Sequence, residues 1–370
     1  MDMKRDYFED VQLLKDRAQK IWFGILVVSL ILFPFVSPNY YIYLVNYIAI
    51  NVIVTVGLNL LIGYTGQISL GHAGFFAIGA YATTLLMLKL HVPFFLAIVI
   101  AGFLAAAFGF LLGLPALRLE GPYLAIATLG FGMAVTTIIG RVSLFGGHMG
   151  LQTPPLSIGP FVAKNDREIY AVIMLFTFLM TFAARNITRT RVGRAFIAIR
   201  DSDIAAEALG VNIAYYKTLA FAISAFYTGV AGGLMAFVLG FINPNIFDLL
   251  QSILFLAMVV VGGAGTILGS VMGATVVSFL NIKLEAVQNI PGVGQFLLHI
   301  SQKWLSVSGL PNFTFVLFGL ILIFYRGIRA IGTLRHLAAN QNLLADVAVL
   351  NVPEIARHRE LESQTLMISI

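Results

Sequence analysis

The chain has no cysteine in its 370 residues, which rules out a disulfide framework and a thiolate metal site. It is also poor in charge: Asp, Glu, Lys and Arg make up 11%, against 59% hydrophobic residues and a mean hydropathy of +0.91. A soluble domain is roughly 45–50% apolar and about 25% charged. A chain this apolar cannot keep its surface wetted, so the excess must face lipid. Catalytic signatures are missing too. There is no G-x-x-x-x-G-K-[ST] phosphate loop, no H-E-x-x-H zinc motif and no G-x-S-x-G nucleophile elbow. Neither a cofactor nor a metal is expected. Glu120, Asp248 and Glu285 all sit at span boundaries. The lack of a mid-span carboxylate speaks against an ion-coupled secondary transporter, and the lack of a nucleophile or metal cluster against a membrane enzyme. The net charge of +6 comes from basic residues flanking apolar runs, a poor footprint for nucleic acid.

What is present is a series of long apolar runs. They lie near 21–37, 41–62, 70–90, 93–117, 122–140, 168–185, 218–242, 247–262, 265–283 and 312–328. About 20 apolar residues cross a bilayer as a helix, and helices satisfy their own backbone groups in lipid. The expected fold is all-α, a polytopic transmembrane helix bundle of about ten spans with broken glycine-rich helices. The ninth span is the least secure, because Gly262-Gly263-Ala264-Gly265 also fits a break inside one long helix. Segment 1–20 is mixed in charge, with no cleavage pattern after it, and reads as a cytoplasmic lead-in. Residues 21–330 form the membrane domain and 331–370 a polar cytoplasmic tail. With the N-terminus inside, 17 of the 23 lysines and arginines fall on the inner side, as positive-inside bias requires. Segment 143–167 then lies outside and 185–217 inside.

Three stretches carry motifs. Residues 63–81, GYTGQISLGHAGFFAIGAY, combine five glycines with Gln67, Ser69 and His72 at the start of a span. They fit close helix packing, or a broken helix lining a solute path with Phe75 and, from the fifth span, Thr128. Residues 262–274 form a second glycine break. The pairs Gly269/Gly273, Gly109/Gly113 and Gly229/Gly232 suit close helix crossings. In the inner loop, Asp201, Ser202 and Asp203 offer N-cap oxygens to a short run from Ile204 to Leu209, and Gly210 is placed to end it. Ile204, Ala205, Ala208 and Leu209 form a small apolar stripe with Glu207 on another face. The segment reads as a capped, slim, two-turn knob or as an ordinary solvated loop. In the first reading Asp203 is the cap, and bulk at Ala206 or Ala208 would block a partner.

GYTGQISLGHAGFFAIGAYAT, RTRVGRAFIAIRDSDIAAEALGVNIAYYK and VVVGGAGTILGSVMGA together resemble the M-type membrane permease subunit of bacterial branched-chain amino acid ABC importers, over roughly residues 20–330. GGHMGLQTPP resembles that family's outer loop. The resemblance implies a multi-pass protein of the bacterial inner membrane. Its implied partners are a second homologous permease subunit, two ATP-binding subunits that hydrolyse the nucleotide, and an extracytoplasmic solute-binding protein. It also implies that Gln67, Ser69, His72, Phe75 and Thr128 lie along the substrate pathway. Arg200, Asp201, Asp203, Ala206, Glu207 and Gly210 would belong to the ATPase-coupling segment. Permeases for urea and short amides are closely similar, so the solute stays open between these and branched-chain amino acids.

Overall fold

The computed structural model describes residues 17–119, 121–158, 161–163 and 166–287. These belong to the compact unit Met1–Gly294; the unit Gln295–Ile370, which holds the expected tenth span and the tail, lies outside the described residues. Eleven α-helices are described: α1 Arg17–Val36, α2 Asn39–Asn59, α3 His72–Leu90, α4 Phe94–Ala116, α5 Pro122–Arg141, α6 Asp166–Arg189, α7 Arg191–Asp201, α8 Asp203–Ala208, α9 Ile213–Leu239, α10 Leu249–Gly262 and α11 Ile267–Val287. A π turn, Leu60–Tyr64, prolongs α2. Prolines mark several starts: Pro38 and Pro93 precede α2 and α4, and Pro122 opens α5. Proline's missing N–H costs nothing where no intrahelical acceptor exists.

Among the described residues, six helices are long and apolar enough to cross a membrane: Asn39–Tyr64, His72–Leu90, Phe94–Ala116, Pro122–Arg141, Arg167–Arg189 and Ile213–Leu239. α10 is shorter, at 14 residues, or about 21 Å at roughly 1.5 Å per residue. The glycine break after it is a turn between two helices rather than a kink within one. Gly263 and Gly265 take φ of 100° and 87°, a region nearly closed to side-chain-bearing residues. The chain reverses there, and α11 packs back along α10. A Cβ on Gly273 would lie 2.0 Å from the Met258 carbonyl oxygen, and one on Gly269 2.4 Å from that of Gly262.

α9 is the central helix and packs on α2, α3 and α4. Glycines set the distances, since in lipid close van der Waals approach replaces a hydrophobic drive between helices. A Cβ on Gly79 would lie 2.0 Å from the Gly229 carbonyl oxygen, and one on Gly109 2.5 Å from the Ala225 methyl. α1 joins α6 through the Tyr170 hydroxyl, which donates to the Leu30 carbonyl at 2.8 Å.

The two ends of the bundle differ. At one end Leu61, Ala116, Leu124, Phe196 and Phe221 form a single buried cluster. This gathers the end of α2, the end of α4, the start of α5, α7 and the start of α9, where the arginines of the 185–217 segment lie. At the other end two short ladders lie in the segments between helices. β1 (Leu151–Gln152) pairs with β4 (Phe241–Ile242), and β2 (Leu156–Ile158) with β3 (Phe161–Ala163). The first ladder ties the glycine-rich segment after α5 to the end of α9.

Candidate functional site

Residues 66–71 run without helical structure from the basic end into the bundle, and α3 begins only at His72. Backbone that leaves the helical ladder at this depth needs partners inside the protein, and side chains supply them. The Leu70 N–H donates to Thr128 Oγ1 at 2.9 Å, and the Ala73 N–H donates to Ser252 Oγ at 3.0 Å. His72 is fully buried, with Nδ1 hydrogen bonded to Ser69 Oγ at 3.0 Å and Nε2 to Ser224 Oγ at 2.7 Å. Its ring stands edge-on to Phe75 at 5.5 Å. Gln67 Nε2 donates to Thr65 Oγ1 at 3.1 Å, while Gln67 Oε1 is buried with no hydrogen-bond partner among the described residues.

Ser69, His72, Phe75 and Thr128 therefore come together where α3, α5 and α9 meet, and Gln67 lies below them toward the basic end. All five are buried. Ser224 and Ser252, which complete the cluster, were missed at the sequence level. Each is a single small hydroxyl in an apolar helix, and only the fold shows what it faces.

Segment 201–210 is built as a capped knob. Ser202, rather than the expected Asp203, caps α8: its Oγ accepts from the Ala205 N–H at 3.3 Å. Asp203 instead forms an ion pair with Lys217 at the start of α9, which fixes the knob to the bundle. Gly210 takes φ of 83° and ends the helix as expected. Ala206 points inward and is 1% exposed, so it is not available to a partner. The outward apolar groups are Ile204, 84% exposed, and Leu209, 83% exposed; Glu207 and Ala208 are exposed beside them. A two-turn helix resting on the protein through one alanine leaves its larger apolar side chains facing out.

Arg200 joins the knob to the bundle. Its guanidinium donates to Asp201 Oδ1 through Nε and Nη2, at 3.1 and 3.0 Å. Through Nη1 it donates to the Gly63 carbonyl in the π turn at 3.0 Å. The π turn in turn meets the α10–α11 turn. A Cβ on Gly63 would lie 2.2 Å from the Gly265 nitrogen, and Asn59 bridges the same two elements. Asn59 Nδ2 donates to the Thr266 carbonyl at 2.9 Å, and Asn59 Oδ1 accepts from the Gly265 N–H at 2.8 Å. The buried Asn59 ends a polar line along α2. Asn51 Nδ2 donates to Ser278 Oγ at 3.0 Å, and the Thr55 hydroxyl contacts Met258 Sδ at 3.4 Å. Tyr43, Tyr47, Asn51, Thr55, Asn59 and Gly63 recur every four residues, so this line was readable in the sequence and went unread.

The chain matches the family described as branched-chain amino acid transport system, permease component, over residues 40–325. It is 35% identical over 281 residues to the high-affinity branched-chain amino acid transport system permease protein LivM of Escherichia coli, a match covering 69% of this chain and 66% of that protein. It is 29% identical over 244 residues to the high-affinity branched-chain amino acid transport system permease protein LivH of the same organism, covering 60% of this chain and 78% of LivH. A more distant likeness, 27% over 171 residues, links it to the xylose transport permease XylH, covering 45% of this chain and 41% of that protein. The chain thus spans just under two thirds of the length of LivM. No solved structure matches it.

Proposed function

This chain belongs to the permease components of branched-chain amino acid transport systems, and on that premise we propose that it forms the translocation path for branched-chain, hydrophobic amino acids in an ATP-driven importer. It breaks no bond itself. ATP is hydrolysed on two separate ATP-binding subunits, a second homologous permease completes the path, and an extracytoplasmic solute-binding protein delivers the solute. The complex sits in the bacterial inner membrane.

The observation that carries this reading is the connection from knob to bundle. α8 presents Ile204 and Leu209 outward, is anchored by the Asp203–Lys217 pair, and leads through Arg200 to the Gly63 carbonyl at 3.0 Å. A rigid projection of this kind passes on a partner's movement, which a solvated loop cannot do. Nucleotide binding elsewhere shifts the balance between inward- and outward-open states only as far as its contacts differ between them. Arg200, Asp201, Asp203 and Gly210 shape the knob, and Glu207 lies on its exposed face. Ala206 seats the knob on the bundle.

Gln67, Ser69, His72, Phe75 and Thr128 are assigned to the pathway. The buried, unpartnered Gln67 Oε1 supports this, because a polar atom left without a partner in the interior is available to a passing ammonium group. The test is uptake by the complete importer in vesicles against labelled leucine, isoleucine, valine, urea, acetamide and xylose. ATP-dependent uptake of the three branched-chain amino acids alone is the expected result. Uptake of urea or acetamide in their place overturns the solute assignment, and uptake without ATP overturns the importer reading.

A further inference from the structure

At the end of the bundle opposite the arginines, a cavity of about 410 Å³ opens among α2, α3, α9, α10 and α11. That volume lies within the range of small-molecule sites, roughly 300–1,000 Å³. Tyr40, Tyr43 and Tyr47 line one side, spaced three and four apart so that they share one face of α2. Gln251 and Asn281 bring two carboxamides from the starting end of α10 and the far end of α11. The remaining wall is apolar, with Phe76 and Met235 its most buried members. No Asp, Glu, Lys or Arg lies among the described residues that line it.

The floor is closed by aromatic rings. Phe76 stands edge-on to Phe255 at 5.4 Å and to Phe247 at 5.8 Å. One turn below Phe76 on α3 is His72, so this floor separates the cavity from the polar cluster. Asn281 sits one turn beyond Ser278, the partner of Asn51. The cavity is thus the outer mouth of the polar line along α2.

We infer that this vestibule is the outer binding site for the transported solute, a small zwitterion with an uncharged aliphatic side chain. The inference rests on the function proposed above and adds where the solute first binds this chain. Tyrosine faces attract an ammonium group. The Gln251 and Asn281 carboxamides offer N–H donors to a carboxylate and carbonyl oxygens to the ammonium. An aliphatic side chain fits the apolar wall at Phe76 and Met235, while a charged one finds no counter-ion among the described lining residues and would lose solvation without return. A lipid chain would leave the Gln251 and Asn281 carboxamides facing hydrocarbon, so the solute is the better match.

The native chain has no cysteine, so single-cysteine variants report without background. The complete importer is reconstituted in vesicles carrying Tyr43→Cys, Asn281→Cys or, as a control in the outer segment, Met149→Cys. Labelling by an impermeant maleimide is timed before the solute-binding protein is added. Leucine at millimolar concentration is expected to slow labelling at positions 43 and 281 at least threefold and to leave position 149 unchanged. Lysine and glutamate are expected to protect nothing. Gln251→Leu is expected to lower leucine uptake at least fivefold with normal insertion and normal ATPase assembly. If the unmodified importer takes up leucine, yet leucine protects neither position and Gln251→Leu transports normally, the vestibule is not the site. Protection by a short-chain phospholipid and not by leucine makes it a lipid groove and overturns the proposal. If the unmodified importer moves no aliphatic amino acid at all, the function proposed above fails, and this site with it.

Discussion

The double variant Ile204→Asp, Leu209→Asp separates docking from folding at the knob. Both side chains are more than four-fifths exposed in this chain, at 84% and 83%. Substituting them is therefore expected to change the stability of the chain by no more than about 0.5 kcal/mol. On a docked partner the balance reverses. Fully burying a leucine or isoleucine side chain contributes roughly 1.5–3 kcal/mol, and contacts central to an interface commonly cost 1–2 kcal/mol or more when removed. A loss of about 2 kcal/mol per site is a weakening of roughly 30-fold at about 1.4 kcal/mol per tenfold, and a desolvated carboxylate at either position adds to it. Ala206→Trp is the contrasting variant. Ala206 is 1% exposed, so added bulk unseats α8 within the chain at an overpacking cost of about 1–3 kcal/mol. The assays are co-purification of the ATP-binding subunits from detergent, solute-stimulated ATP hydrolysis in vesicles, and thermal unfolding of the permease alone. The aspartate variant is expected to keep its unfolding temperature and lose both the partner and the stimulation, whereas Ala206→Trp is expected to lose all three. If the double aspartate variant co-purifies and hydrolyses ATP like the parent, the docking contact lies elsewhere and the exposed pair is a bystander.

Three further outcomes follow from the geometry. Asn59→Leu removes the donor to Thr266 and the acceptor for Gly265; the orphaned buried groups set a cost of about 1–3 kcal/mol, seen as a lower unfolding temperature in detergent, and an unchanged temperature would show that the α10–α11 turn is held by packing alone. Gln67→Leu and His72→Leu are each expected to cut leucine uptake at least fivefold at normal protein levels; unchanged kinetics would return the cluster to a packing role. A cysteine at Gly147 is expected to react with an impermeant reagent in sealed cells while one at Asn212 stays protected, and labelling at Asn212 would invert the assigned topology.

The long apolar runs made most of the helices legible, since their lengths and proline starts are set by hydrocarbon thickness and backbone chemistry. Pro38, Pro93 and Pro122 mark the starts of α2, α4 and α5 within a few residues of the expected runs. The glycine pairs were legible as close crossings, and Gly210 as a helix end. Reading failed where the answer depended on which way a short element rests. A six-residue helix has too few turns for periodicity to reveal its inner face, so Ala206 was assigned to the partner although it faces the bundle, and Ile204 and Leu209 were credited only as members of a stripe. Ser202 and Asp203 are both competent caps by residue type. The choice between them was made by Lys217, fourteen residues away in sequence, which engages the Asp203 carboxylate. The hydroxyls of Ser224 and Ser252 were invisible for the same reason, as their partners at His72 and Ala73 are 152 and 179 residues distant.

The scarcity of charge in the spans also bears on how the helices are held together. The seam between α2 and the α10–α11 hairpin is closed by neutral groups: Asn51 with Ser278, Thr55 with Met258, and Asn59 with Gly265 and Thr266. Interhelical hydrogen bonds in membranes average about 0.6 kcal/mol each, with a maximum near 1.7, because the separated groups find other partners. A seam of this kind holds by roughly 2–3 kcal/mol, comparable to one well-docked apolar side chain on the knob. A buried ion pair at the same place would cost about 3–5 kcal/mol to break, out of reach of a single such contact. The packing around α9 is more extensive: it lies against α2, α3 and α4, and at Gly79 and Gly229 the backbones touch, so movement there means losing van der Waals contact along the helix. The hairpin is therefore expected to yield before α9 does. Arg200, bonded to the Gly63 carbonyl against which the hairpin turn rests, stands where a pull on the knob would reach it.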